Sequence, residues 1–82
     1  MFVCHYVGVL VEISAEGQMT PKKIIWDDGT RYTIDRVLAR HRHHVDGKVE
    51  VTDEFKILVY GQERYIYWDY KNNRWFVQER DV

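Results

Sequence analysis

The sequence predicts an all-β domain, with about six antiparallel strands in a meander that curves into a sheet or a small, partly open barrel. Three observations carry that expectation. Apolar and polar residues alternate at a period of two through most of the chain, as strands with one buried face require. Turn-forming pairs such as Asp28-Gly29, Asp46-Gly47, Gly61-Gln62 and Asn72-Asn73 recur between the alternating runs. No segment joins a helical period to a helix stop signal.

Taken in order, Val3, Val7, Val9, Val11 and Ile13 share one parity and mark a first strand, within which Gly8 signals a bulge or a bend. Ala15-Glu16-Gly17-Gln18 turns the chain. Pro21 lacks a backbone donor and belongs at the start of the next strand, Lys22–Trp26, or on a sheet edge. Asp27-Asp28-Gly29-Thr30 has the composition of a tight hairpin leading to a strand over Arg31–Leu38, with a phase change that suggests a bulge near Asp35-Arg36. Over Asp35–His44 a helix competes, because Ile34, Val37, Leu38 and His41 also fit helical spacing; β-branched residues favour strand. After Asp46-Gly47 come Val49–Thr52, the acidic pair Asp53-Glu54 read as a turn, and Phe55–Tyr60. The Gly61-Gln62 loop, with glycine first, fits a type II′ hairpin. A strand from Glu63 to Tyr70, the turn Lys71-Asn72-Asn73-Arg74 and a last strand from Trp75 to Arg80 complete the meander. The stretch Phe55–Arg80 holds most of the large aromatic residues and is the expected core-forming element. Alternation alone leaves open whether Tyr65 and Tyr67 or Ile66 and Trp68 face inward, since a one-residue slip reverses every side chain.

The 82 residues suit one domain spanning 1–82, because a second would lack the apolar residues for a core of its own. Three Trp, six Tyr and three Phe supply large buried area in a small chain, and closure into an SH3-like barrel would remove exposed edges. With 12 Lys and Arg against 13 Asp and Glu, the formal charge is -1, which argues against nonspecific attraction to nucleic acid or anionic lipid. Cys4 has no internal partner and fits a reducing compartment. The apolar start lacks a basic leading segment and a small-residue cleavage site, and no stretch reaches the length of a membrane span. The expected setting is the cytoplasm, with no membrane contact.

Several groupings bear on function. His41 and His43 would project from one strand face about 6–7 Å apart and share a metal if His5 or Cys4 supplied a third ligand; the plainer reading is a solvated strand end beside a turn. Arg64, Tyr65, Tyr67, Trp68, Lys71, Arg74 and Trp75 interleave rings and cations, the arrangement that holds single-stranded nucleic acid by stacking and phosphate contact, or that meets a protein partner. Against this, the same rings are the main material for a core. Asp27-Asp28 and Asp53-Glu54 fit turn chemistry. Cys4 and His5 are adjacent, so in a strand they point to opposite faces and make no nucleophile–base pair; Cys4 reads as a small buried hydrophobe. Catalysis is the least supported class, and no cofactor is implied.

The run Pro21…Trp26…Gly29-Thr30-Arg31-Tyr32…Val37-Leu38, followed by Glu63-Arg64-Tyr65…Asp69…Arg74-Trp75-Phe76-Val77, resembles a family of small bacterial all-β domains of unknown function. Some relatives of that pattern lie near genes for Y-family DNA polymerases. The resemblance covers roughly the last three quarters of the chain, by pattern rather than by a catalytic motif. It implies an accessory or interaction domain, in a setting of DNA repair or lesion bypass. The expectation is therefore a non-enzymatic interaction module that meets a protein partner or a second copy of itself through an aromatic sheet face. Single-stranded nucleic-acid binding is the alternative, and metal binding through His41, His43 and His5 a lesser one.

Overall fold

The computed structural model of the chain describes residues 2–44 and 51–80. Every regular element in them is a strand: β1 (Phe2–Ile13), β2 (Met19–Ile25), β3 (Arg31–Thr33), β4 (Arg36–His44), β5 (Val51–Val59), β6 (Gln62–Asp69) and β7 (Arg74–Arg80). All pairings are antiparallel, in the order β3-β2-β1-β7-β6-β5-β4.

The two ends of this sheet, β3 and β4, are consecutive in sequence and separated only by Ile34 and Asp35. A flat sheet would hold them far apart, so the sheet must curl into a half-barrel. The two linking residues make the junction. Ile34 N donates to Lys22 O at 2.9 Å on one end of the sheet, and Asp35 N donates to Leu58 O at 2.8 Å on the other.

β1 is shared between two neighbours. Phe2 to Val7 pair with β7, and Gly8 to Ile13 pair with β2. Gly8 sits at the changeover, where a Cβ would lie 3.3 Å from Ile25 Cβ, so glycine allows the close approach that the bend needs.

Two hairpins are built alike. Ser14 N donates to Gln18 O and Gly17 N to Ser14 O; Trp26 N donates to Thr30 O and Gly29 N to Trp26 O. Gly17 and Gly29 both take positive φ, the geometry of a three-residue loop that ends in a left-handed glycine. Asp28 contributes a side-chain acceptor to Thr30 N at 2.9 Å, and hydrogen bonding from the Thr30 side chain, together with that backbone bond, holds its carboxyl below the ordinary range.

Several boundaries differ from the sequence reading. The strand expected over Arg31–Leu38 breaks at Ile34-Asp35, because the chain crosses there from one sheet end to the other, and the described residues form seven strands where about six were expected. The bulge lies at Leu38, between Val37 and Ala39, rather than at Asp35-Arg36. A second bulge sits at Lys22, which places Pro21 inside β2, opposite Val11 and fully buried. Asp53 and Glu54 are not a turn but lie inside β5. The β5–β6 loop is Tyr60-Gly61 rather than Gly61-Gln62, with positive φ at both residues as a type I′ turn requires. Strand, not helix, is found over Arg36–His44. Asn73 takes the left-handed conformation that asparagine tolerates. The Asp46-Gly47 turn and Val49 lie outside the described residues.

The core fills the concave side. Phe55, Ile57 and Ile66 are almost fully buried, joined by Ile24, Ile34, Val59 and Trp75, with Val7, Val9, Trp26, Trp68 and Val77 packed around them. Each fully buried aliphatic or aromatic side chain contributes on the order of 1.5–3 kcal/mol. Ile66 and Trp68 therefore face inward and Tyr65 and Tyr67 outward. Cys4 is exposed rather than buried, because it shares the outer parity of Tyr6. Val11 and Ile13 share the parity of Val9 but stand 37% and 66% exposed, since the β1–β2 hairpin runs past the end of the core. No helix among the described residues is long and apolar enough to cross a membrane.

Candidate interaction site

The ladder between β6 and β7 joins only Tyr67↔Phe76, Trp68↔Trp75 and Asp69↔Arg74. Beyond those pairs the strands part, because each is held by another neighbour. β6 remains matched to β5 as far as Val59↔Gln62, while β7 follows β1 from Val7↔Trp75 to Phe2↔Arg80. Between them opens a cleft of about 750 Å³. Its walls are residues 62–67 of β6 and 77–79 of β7, and Ile24, Trp26, Tyr32 and Val59 form its floor. Residues from both sheet faces line it, because it passes through the sheet. Tyr60 leans over one end, edge-on to Tyr32 with ring centroids 6.4 Å apart. At the other end His5 stacks on Trp26 (4.9 Å, 8°); its Nδ1 lies 3.5 Å from Glu79, and its Nε2 lies 2.8 Å from Asp27 without the alignment of a hydrogen bond.

A second aromatic cluster occupies the outer surface where β6 and β7 are still joined. Tyr67 stacks on Phe76 (5.0 Å, 12°), Tyr6 meets Phe76 edge-on at 6.2 Å, and the Arg74 guanidinium lies 3.6 Å from the centre of the Tyr6 ring. Burial and the neighbouring Glu54 carboxylate push the Tyr67 hydroxyl up to about 12.

The expected binding residues are thus divided among different environments. Tyr65, 45% exposed, and Arg64 stand on the cleft wall; the Arg64 side chain donates to Gln62 and, at 3.0 Å, to the Glu63 carbonyl. Tyr67 and Arg74 belong to the outer cluster. Lys71 lies in the β6–β7 turn, where its backbone N donates to Asp69 Oδ1 at 3.0 Å. Trp75 is a core residue, only 6% exposed, and presents no open stacking face, whereas Trp68 is half-buried against it with ring centroids 5.2 Å apart. His41 and His43 are neighbours on β4, their ring centroids 6.5 Å apart, and His43 Nε2 lies 3.6 Å from Glu54. His5 is on β1, with β7, β6 and β5 intervening. Among the described residues no three His, Cys, Asp or Glu side chains gather to hold a metal, so the expected third ligand does not arrive.

The grouping that the sequence reading missed centres on Asp53, which is fully buried. Its carboxylate accepts from Arg40 Nη2 (2.5 Å) and Nε (3.1 Å), Arg42 Nε (3.1 Å) and the Tyr70 hydroxyl (2.7 Å). Burial alone would raise this carboxyl; the bonds from Tyr70, Arg40 and Arg42 outweigh it and hold Asp53 below the ordinary aspartate range. Arg40 also lies over the Phe55 ring and Arg42 over Tyr70. The cluster ties β4, β5 and the segment after β6 together. A usable signal was present, since Asp53 has the same parity as Phe55, Ile57 and Val59.

No protein-family model, curated protein or solved structure matches the chain. The described residues form an all-β half-barrel with surface aromatic clusters and a cleft between parted strands.

Proposed function

We propose that this chain is a non-enzymatic interaction module that holds a protein partner in the cleft between β6 and β7. The observation that carries the reading is the cleft: an apolar floor, tyrosines at its rim, and a volume of about 750 Å³ in the range of built binding sites. Tyrosine is well suited to that rim, because it offers large contact area at low entropic cost together with a polar tip.

Single-stranded nucleic-acid binding has less to support it. With Trp75 in the core and Trp68 half-buried against it, the most exposed rings are tyrosines, and Glu63 and Glu79 stand with Arg64 at the cleft. Self-association has a separate support in Leu10, Val11 and Ile13, which are 43%, 37% and 66% exposed on the projecting β1–β2 hairpin.

The test compares proteins retained from an extract of the source cells by the immobilised chain and by Val77→Asp and Tyr65→Ala variants. Partners lost from both variants are the expected result. Equal retention by all three, or salt-dependent binding of fluorescent oligonucleotides in place of protein binding, would sink the reading.

A further inference from the structure

We infer that the partner enters as an extended peptide segment, which lies between β6 and β7 as an added strand and hydrogen bonds to both walls. This rests on the protein-binding reading above and names the backbone as the main recognition element.

The direction of the wall groups follows from the ladder. Val51 O accepts from Tyr70 N at 3.3 Å, after the end of β6, and Leu58 O accepts from Asp35 N on the opposite side. Alternate residues of an antiparallel strand bond to opposite neighbours, so Phe55 and Ile57 direct their backbone groups to β6. Their partners Ile66 and Arg64 must reciprocate. Glu63 and Tyr65 therefore point their N–H and C=O groups away from β5, toward the space where β7 has departed. The Glu63 carbonyl is met there by the Arg64 side chain. On the other wall Phe76 faces β6 and Val77 faces His5 of β1, which leaves Gln78 directed into the cleft. Glu63 and Tyr65 on one wall and Gln78 on the other thus turn backbone groups toward a cleft with an apolar floor, the Glu63 carbonyl being already engaged by Arg64. Unpaired strand edges of this kind are templates for strand addition.

The occupant must be free along both of its own edges. Every described strand of this chain is already paired along at least one edge, including β3 and β4 at the sheet ends. Among the described residues a second folded copy has no strand free on both edges to give, whereas a linear segment of a partner does. At about 3.3 Å per residue, the parted stretch 62–66 is roughly 17 Å long and accommodates a segment of about five residues. Alternate side chains of that segment would face Ile24 and Val59 on the floor beside Val77 of the β7 wall, which selects apolar residues at every second position.

The experiment pans a phage-displayed library of random 12-residue linear peptides against the folded chain. An enriched peptide is then synthesised in its parent form and in two forms N-methylated at odd or at even backbone positions. We expect alternating apolar residues in the enriched sequence. Each methylated form should bind about tenfold more weakly or worse, since both sets of N–H groups meet a wall. The amides of Glu63, Tyr65 and Gln78 should become protected from hydrogen exchange in the complex. Full affinity in both methylated forms, or unchanged exchange at those amides, overturns strand addition. If Tyr65→Ala and Val77→Asp still weaken that peptide, the cleft remains a protein-binding site and the broader reading survives. Failure to enrich any peptide also overturns strand addition, while the retention experiment above then decides the broader reading separately.

Discussion

The β5–β6 and β6–β7 hairpins are built from strands of similar length and tight turns with left-handed residues, yet they end differently. The first is paired along its whole length, from Val59↔Gln62 to Thr52↔Asp69. The second is paired over three positions and then opens. The turn does not set this difference. What sets it is competition for the strand, because β7 gains a long ladder with β1, and β1 bends at Gly8 to meet β2. The closed hairpin is further fastened by the Asp53 cluster and carries Phe55 and Ile57. The open hairpin carries the cleft. The fastened ladder and the cleft thus lie on opposite edges of the same strand, β6.

The largest expected effect separates the two edges by stability. Phe55→Ala removes a ring that is 1% exposed and should cost about 3–5 kcal/mol in denaturant unfolding. Tyr65→Ala, on the cleft wall, should stay within about 0.5 kcal/mol of the parent. Comparable losses at both positions would erase the contrast.

A proline pair tests the cleft edge itself. Val77→Pro deletes an N–H directed at β1 and should destabilise by about 3 kcal/mol, while Gln78→Pro deletes one directed into the cleft and should cost less than about 1 kcal/mol. Equal costs at the two neighbours would mean that β7 is paired on both sides.

Asp53→Asn should cost about 2–3 kcal/mol, somewhat less than is usual for breaking a fully buried ion pair because Arg40 and Arg42 keep partial access to water. The pH dependence has a definite sign. The folded-state carboxyl titrates below its unfolded value, so the stabilisation is fully present above about pH 4 and is lost as pH falls through the folded-state value. Acid unfolding monitored by tryptophan fluorescence should show a shallower loss of stability in the Asn variant than in the parent.

Much of the fold was legible because local chemistry decides it. Alternation identified the strands, Gly29 and Asn73 took the left-handed geometry that their turns needed, and Gly8 marked a bend. The misplaced elements have nonlocal causes. The break at Ile34-Asp35 exists only because two distant sheet ends meet there. Asp53 resembled a turn residue until Arg40, Arg42 and Tyr70, from 11 to 17 positions away, made its burial possible. The cleft was invisible for the same reason, since no local signal in 74–80 reveals that β7 prefers β1. Of the expected binding residues, Tyr65, Tyr67, Arg64 and Arg74 stayed at the surface, while Trp68 and Trp75 were drawn inward by the need of a small chain for large core residues.

The most direct test of the central claim is residue-resolved amide hydrogen exchange on the free protein. An open edge on β6 and β7 predicts a sharp alternation, with Arg64, Ile66 and Val77 protected and Glu63, Tyr65 and Gln78 exchanging rapidly. Uniform slow exchange across all six amides would mean that the strands are closed and that no cleft exists to receive a partner.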